Sequence, residues 1–202
     1  MFQVSSTVSQ QREIQVLERL TDALDALGIP YAIGGSIASS LYGTVRFTRD
    51  ADVALYPFPA VADRFCEMLK DEFYISEEAM QRALSCCGSF SIVHFETAFK
   101  IDIFLLGPSE FEQQLLLRSR VVRLGESAEG DLCFVSPEDV ILLKLRRITE
   151  DDRASDRHWT DIVGVLAVQG KALDLDYLAG RAKGLAVEGL LERALAEVAT
   201  YS

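Results

Sequence analysis

The stretch GGSIASSLYGTVRFTRDADVAL, from Gly34 to Leu55, decides the fold that we predict for this chain. The apolar run before it, from Tyr31 to Gly34, indicates a short strand, and the small residues from Ser36 to Tyr42 indicate a short helix. The stretch then enters an apolar, strand-like run that carries Asp50 and Asp52. Because an unpaired buried charge is costly, two carboxylates on such a strand predict that positive charge lies close to them.

The two aspartates belong to a larger set of carboxylates. Alternate side chains of a strand point to the same face, so Asp50 and Asp52 project together. Asp102 is the single acidic residue of the apolar run Phe99–Leu106, FKIDIFLL, and a strand beside the first would bring it near the pair. Three carboxylates repel one another unless cations lie between them, and their oxygen atoms suit Mg²⁺. Two Mg²⁺ ions about 4 Å apart can hold both the attacking and the leaving oxygen of a phosphoryl or nucleotidyl transfer.

Gly34, Gly35 and Ser36 lie where the predicted strand passes into the predicted helix. At such a junction, backbone N–H groups and the helix dipole can bind phosphate oxygens, and glycine permits close approach of the backbone. Ser36 can contribute its hydroxyl or cap the helix. The chain contains neither GxxxxGK[ST] nor GxGxxG, so no P-loop or dinucleotide fingerprint competes with this interpretation. GGS, then DxD, then an aspartate on a later strand together predict a site for metal-bound phosphates.

Composition limits the class of protein. The chain has 202 residues, 49% of them hydrophobic and 25% charged, which suits one domain, or one domain with a modest appendage. The net charge of −11 argues against broad nucleic-acid binding but leaves room for a narrow basic pocket. The candidates for that pocket are Arg46, Arg49, Lys100, Lys144, Arg146 and Arg147.

Cysteine usage and the amino-terminal sequence predict a soluble, cytoplasmic protein with no membrane partner. The four cysteines form no CxxC pair and are expected to be reduced. The amino terminus lacks the apolar core of a signal peptide, and no apolar run reaches transmembrane length.

Hydrophobic periodicity and turn residues predict helices that alternate with strands up to about residue 135, and helices alone from Pro137 onward. We expect strands at 31–34, 52–56, 73–75, 89–96, 99–106, 121–124 and 132–135, the fourth and fifth forming a hairpin around Thr97. We expect helices at 9–28, 36–42, 57–70, 77–84, 109–117, 137–149, 156–169, 174–183 and 187–199. The fold class that follows is α/β (α+β), a small mixed sheet flanked by helices. Residues 1–135 form its main domain, and residues 136–202 form a C-terminal helical segment packed on it.

The string GGSIASSLYGTVRFTRDADV resembles the signature of the polymerase-beta-like nucleotidyltransferase superfamily, which has a glycine-rich helix start, Asp-x-Asp and a later Asp on a neighbouring strand. The stretch from Ser136 to Gly170 is similar to the helical tail of small uncharacterised bacterial nucleotidyltransferases, whose relatives include toxins of abortive-infection systems. In those tails a lysine on one helix and an Arg/Asp cluster on the next complete the pocket. By position, the matching residues are Lys144, Arg153, Asp156 and Asp161.

The resemblance implies that residues 1–135 are a nucleotidyltransferase catalytic domain. Its catalytic, metal-binding residues are Asp50, Asp52 and Asp102, which hold two Mg²⁺ ions, and Asp102 also helps to take the proton from an acceptor hydroxyl. The residues implied for binding the nucleoside triphosphate (NTP) are Gly34, Gly35, Ser36, Arg46 and Lys144, and those implied for the acceptor or the pocket are Arg153, Asp156, Trp159 and Asp161. The acceptor stays open between a tRNA end, a protein and a small molecule. The alternative is a catalytically silent nucleotide-binding or toxin–antitoxin module, with an antitoxin as partner.

Structural roles compete with these functional ones at single positions. Asp50 could cap a turn, Asp102 could pair with Lys100 or an arginine, and Lys144 could extend its ammonium to solvent along an apolar surface. Asp156 could cap a helix, and Asp161 could be an ordinary surface charge. His94 is expected to be a half-exposed strand residue. Trp159 is expected to pack between the helical tail and the sheet, with stacking on a base as the alternative.

Overall fold

A computed structural model describes residues 3–46, 48–123, 131–150 and 155–200. The helices of these residues are α1 (Gln3–Ala26), α2 (Gly35–Tyr42), α3 (Ala62–Leu69), α4 (Glu77–Cys86), α5 (Glu110–Leu117), α6 (Pro137–Glu150), α7 (Ser155–Gln169), α8 (Leu175–Gly184) and α9 (Glu188–Ala199). The strands are β1 (Tyr31–Ile33), β2 (Asp50–Leu55), β3 (Phe73–Ile75), β4 (Ser89–His94), β5 (Lys100–Leu105), β6 (Arg120–Val122) and β7 (Leu132–Phe134). The predicted order of elements and the α/β class are confirmed.

The strands of the described residues form one mixed sheet in the order β3-β4-β5-β2-β1-β7-β6. β4 and β5 form the predicted antiparallel hairpin, and β2 lies antiparallel to β1. β2 and β5 are parallel neighbours. Parallel neighbours require a crossover connection, and here α3, β3, α4 and β4 supply it. The crossover sets the DxD strand beside the strand that carries Asp102.

The chain divides into two compact units. The first consists of Met1–Ile33 and Arg49–Phe134. Its core is the apolar face of the sheet, where Val53 and Ile103 have no exposed surface, together with the buried stripe of α1. Within that stripe Leu17, Leu20 and Leu24 are 1% exposed or less, at the helical spacing that the sequence predicted.

The second unit consists of Gly34–Thr48 and Val135–Ser202, so α2 groups with the C-terminal helices. Glycine makes the close packing of α2 on α7 possible. A Cβ at Gly43 would lie 2.7 Å from the backbone nitrogen of Val165, closer than any real contact. At the same place, the side-chain amide of Gln169 donates a hydrogen bond of 2.8 Å to the carbonyl of Tyr42.

A buried polar network joins α6 to α8 inside the second unit. The Ser136 hydroxyl accepts from the Asp139 N–H and donates to the Asp139 carboxylate at 2.7 Å. The Tyr177 hydroxyl donates to the other oxygen of that carboxylate, also at 2.7 Å. These bonds compensate Asp139 for a complete loss of solvent contact.

Two further expectations concern cysteines and membranes. Cys66, Cys86, Cys87 and Cys133 are free thiols, as the sequence predicted. Among the helices of the described residues, none combines the length and the apolar character needed to cross a membrane.

Candidate active site

The DxD pair lies on the open side of β2. Burial alternates along this strand: Ala51, Val53 and Leu55 are buried, whereas Asp50 and Asp52 are half-buried on the opposite face. The strand therefore combines one face in the core with one face for polar chemistry. This alternation is what permits two carboxylates on an otherwise apolar strand.

Asp102 lies on the same side of the sheet. In the parallel pairing of β2 with β5, Asp52 is opposite Asp102 and Asp50 is opposite Lys100. Ile101 and Ile103 are buried, so Asp102 faces the open side with the DxD pair. In the residues that the structure describes, however, no three His, Cys, Asp or Glu side chains converge closely enough to hold one metal ion.

A lysine ammonium lies among these carboxylates. Lys100 Nζ is 2.7 Å from Asp102 Oδ2. The Ser91 hydroxyl of β4 donates to Asp102 Oδ1 at 2.5 Å. The hydrogen bond to Asp102 raises the pKa of Lys100, as do the charges of Asp102, Asp50 and Asp52, and partial burial opposes them. Asp102 thus pairs with Lys100, which was one of the alternatives that the sequence left open, and its carboxylate is half-buried.

The donor set fits Mg²⁺ in its chemistry. Asp50, Asp52 and Asp102 supply hard carboxylate oxygens from one face of two adjacent strands, and hard oxygen ligands are what Mg²⁺ prefers. One of these acids, Asp102, already binds a cation, the Lys100 ammonium, at 2.7 Å. A metal bound on this face would take these three residues as its protein ligands.

Backbone geometry explains the double glycine before α2. Gly34 is the N-cap residue, and no side chain among the described residues caps this helix end. Gly35, the first helical residue, has a φ of +57°, in the left-handed region that favours glycine. Ser36 lies inside the helix, so the capping role considered for it is wrong. Its hydroxyl instead accepts a hydrogen bond from the Arg46 guanidinium.

Arg46 and Lys144 meet at Asp161 within the second unit. The Arg46 guanidinium donates to both oxygens of Asp161, at 2.8 and 2.9 Å, and Lys144 Nζ lies 2.7 Å from Oδ2. The side chains of Lys144 and Asp161 are 5% and 4% exposed. The alternatives of a solvent-extended Lys144 and a surface Asp161 are therefore wrong.

The ion pairs favour the ionised form of Asp161. Burial, which favours the neutral acid, is outweighed by the hydrogen bonds from Arg46 and Lys144 and by their charges, so the pKa of Asp161 lies below its ordinary value. Neighbouring His158 has a lowered pKa because it is partly buried and lies near positively charged Lys144. The cluster therefore carries an ionised carboxylate bound by two cations.

The other candidate residues have diverse surroundings. Trp159 contacts α9: its Nε1 donates to Glu197 at 2.9 Å, and the Arg193 guanidinium carbon lies 4.4 Å from its ring centroid. Asp156 is exposed in the first turn of α7. Arg153 lies outside the described residues. His94, expected to be half-exposed, is 9% exposed because its ring packs on Phe73.

Sequence reasoning missed Ser91 as a neighbour of Asp102. The alternation of Ser89, Phe90, Ser91 and Ile92 in a predicted strand was the available signal, because it assigns the serines to the polar face. The pairing of Ser91 with Asp102 depends on strand register, which that alternation does not define.

The fold is that of the nucleotidyltransferases, as comparison with solved structures shows. The solution structure of the antibiotic-resistance factor ANT(2'')-Ia has a TM-score of 0.52 at 13% identity and covers 91% of this chain and 98% of that one. The crystal structure of ANT(2'')-Ia with adenylyl-2''-tobramycin has a TM-score of 0.56 at 12% identity, with coverages of 86% and 98%. An antigenic nucleotidyltransferase-like protein from Paracoccidioides brasiliensis has a TM-score of 0.53 at 16% identity and covers 91% of each chain.

Sequence comparison adds nothing to this likeness, because neither a family model nor a curated protein matches the chain. At such low identities the solved structures establish the fold alone. The fold expected from the resemblance is confirmed at that level. The relation to abortive-infection toxins stays a prediction.

Proposed function

We propose that this protein is a Mg²⁺-dependent nucleotidyltransferase, which transfers a nucleoside monophosphate from an NTP to a hydroxyl group and releases pyrophosphate. One observation carries the proposal: Asp50, Asp52 and Asp102 share one face of two adjacent parallel strands in a chain with the nucleotidyltransferase fold. A structural role alone does not require three acids on one open face, since like charges side by side destabilise a sheet.

The three carboxylates share one task in this proposal, and Asp102 has a second. Asp50, Asp52 and Asp102 would hold Mg²⁺, which would supply positive charge near the reacting phosphate. Asp102 accepts the proton of the acceptor hydroxyl as a general base. The hydrogen bond from Ser91 fixes the orientation of the Asp102 carboxylate for that transfer.

Residues of the second unit bind the triphosphate. The amino end of α2 offers the backbone N–H groups of its first turn, and Gly34 and Gly35 place no side chain over them. Arg46, which contacts Ser36, and Lys144 add positive charge for the phosphates and for the leaving pyrophosphate. Asp161 orients both cations before the nucleotide binds.

The acceptor that we propose is a small cationic molecule with a hydroxyl group, with proteins and tRNA as the other candidates. The net charge of −11 disfavours a polyanionic acceptor and favours a cationic one. A solved structure with the same fold contains adenylyl-2''-tobramycin, the adenylylated form of an aminoglycoside. Cytoplasmic location belongs to the same proposal, whereas an antitoxin partner belongs to the silent module considered below.

Product analysis tests this function. The purified protein is incubated with each α-labelled NTP, Mg²⁺ and one acceptor class at a time: an aminoglycoside panel, bacterial proteins or tRNA. We expect labelled product and an equal amount of pyrophosphate with at least one acceptor, and neither in the presence of EDTA. Absence of pyrophosphate release with every acceptor and every NTP would contradict the proposal.

The second candidate is a catalytically silent nucleotide-binding module of the same fold. The ion pair between Lys100 and Asp102 favours it, because an ammonium occupies an oxygen that catalysis assigns to a metal. Calorimetry with NTP, with and without Mg²⁺, separates the two functions. A silent module binds NTP with no pyrophosphate release, and its affinity does not depend on Asp102.

Replacing Gly35 by Ala tests the phosphate site, and Gly28→Ala provides a matched control. Both glycines have positive φ, +57° and +66°, so each substitution is expected to cost about 1 kcal/mol of stability through backbone strain. A Cβ at Gly28 meets nothing within 4 Å. We expect Gly35→Ala alone to weaken NTP binding, by about tenfold or more, in calorimetric titrations of the folded variants. Equal NTP affinity in the two variants would show that Gly35 is not part of the phosphate-binding site.

A further inference from the structure

Lys100 is the residue whose position the proposed reaction does not explain. It stands on the open face of β5, two residues before Asp102 and opposite Asp50 in the strand pairing. Its Nζ is 2.7 Å from Asp102 Oδ2, and the charges of Asp50 and Asp52 also act on it. One ammonium thus lies in the field of all three carboxylates to which the proposed function assigns the metal.

The Lys100 ammonium reduces the repulsion between the neighbouring carboxylates. Three neighbouring carboxylates destabilise a sheet face by mutual repulsion, and a cation within hydrogen-bond distance relieves part of it. The contact between Lys100 and Asp102 must break when a metal binds Asp102 Oδ2, because one oxygen cannot face both cations at close range without repulsion between them.

The Lys100 side chain is able to leave. It is 46% exposed, against 21% for Asp102, so its ammonium can turn into solvent while Asp102 stays in place. The Ser91 hydroxyl holds the other Asp102 oxygen, so the carboxylate keeps one hydrogen bond when the lysine departs. Partly exposed ion pairs of this kind contribute little to the free energy of folding, so breaking this pair requires little free energy.

We propose that Lys100 is a tethered cation that stabilises the carboxylate group in the metal-free protein and that a divalent metal must displace. The inference rests on the proposed function, since it takes Asp50, Asp52 and Asp102 as the metal ligands. Lys100 is a positioning residue: it pairs with the charge of Asp102 before the metal arrives and lowers the affinity of the site for metal.

Binding of Mn²⁺ to the nucleotide-free protein tests this role. The binding is measured by the decrease of the electron paramagnetic resonance signal of free Mn²⁺. We expect Lys100→Met to bind Mn²⁺ about threefold to tenfold more tightly than the wild type at low ionic strength, with a smaller difference at high salt. Lys100→Arg keeps the charge and is expected to bind like the wild type. In the metal-free state Lys100→Met is expected to melt at a lower temperature than the wild type, and saturating Mn²⁺ is expected to remove the difference.

Lys70→Met is the matched control. Lys70 is an exposed lysine of the same unit, and it forms an ion pair with a single glutamate, Glu67. We expect its removal to leave Mn²⁺ affinity unchanged, because the lost charge lies outside the carboxylate group.

The outcomes separate this inference from the proposed function. If the wild type binds Mn²⁺, Asp52→Asn abolishes the binding, and Lys100→Met binds Mn²⁺ equally or more weakly, the role of Lys100 is wrong and the metal site stands. If neither the wild type nor Lys100→Met binds Mn²⁺, the metal assignment fails, and the role of Lys100 fails with it. An equal gain in Lys70→Met would show a general charge effect and would also overturn the inference.

Discussion

Replacement of Asp52 by Asn is expected to reduce nucleotidyl transfer on the order of a thousandfold while the protein stays folded. Asp52 lies directly opposite Asp102 in the strand pairing, at the centre of the carboxylate group. The amide removes one negative charge and one anionic metal ligand, and Mg²⁺ is usually bound by only one or two carboxylates together with substrate phosphates. Asp52 is half-buried on the open face, so we expect its substitution to change the free energy of unfolding by less than about 1 kcal/mol.

Asp71→Asn provides the control for Asp52→Asn. Asp71 is an exposed residue in the turn before β3. Its substitution by Asn removes the same charge from the same unit, but outside the carboxylate group. We expect the control to keep wild-type pyrophosphate release and wild-type Mn²⁺ binding. Asp52→Asn activity within about threefold of the control would mean that Asp52 binds no catalytic metal, since that ratio corresponds to less than 1 kcal/mol of transition-state stabilisation.

Local pattern accounts for the parts of the fold that the sequence predicted well. Strand β2 and the helices after Pro137 were predicted within a few residues, because their apolar spacing has one clear period. The shared face of Asp50 and Asp52 follows from the two-residue repeat of a strand alone. The neighbouring position of Asp102 also needed the resemblance, because no local pattern specifies which strands pair.

Register and long-range contacts account for what the sequence did not predict. The Ser91 contact with Asp102 depends on the offset between two strands. Arg46 and Asp161 are 115 positions apart, and no local sequence pattern around either residue predicts their contact. The grouping of α2 with the C-terminal helices has the same origin, since it depends on packing at Gly43 and not on chain order.

Asp161→Ala is expected to destabilise the second unit by about 3 to 5 kcal/mol. The substitution leaves the Lys144 ammonium, which is 5% exposed, without its buried carboxylate partner. Lys144→Met should cost less, because Arg46 still donates two hydrogen bonds to Asp161. Asp156→Ala, at an exposed position of the same helix, is the control and should cost less than about 1 kcal/mol. Urea titrations followed by Trp159 fluorescence report on this unit.

The pH dependence of the same variants distinguishes an ion pair from simple loss of packing. The pKa of Asp161 is lowered in the folded protein, because the hydrogen bonds and charges of Arg46 and Lys144 exceed the opposing effect of burial. The unfolded chain therefore binds more protons at this site than the folded one does. The stability from the ion pair is complete above the ordinary aspartate pKa and is lost as the pH falls through the lowered value. We expect the stability gap between wild type and Asp161→Ala to be constant from about pH 5 to 7 and to narrow below about pH 4. A gap of constant size down to pH 3 would mean that Asp161 contributes volume, and not charge, to the second unit.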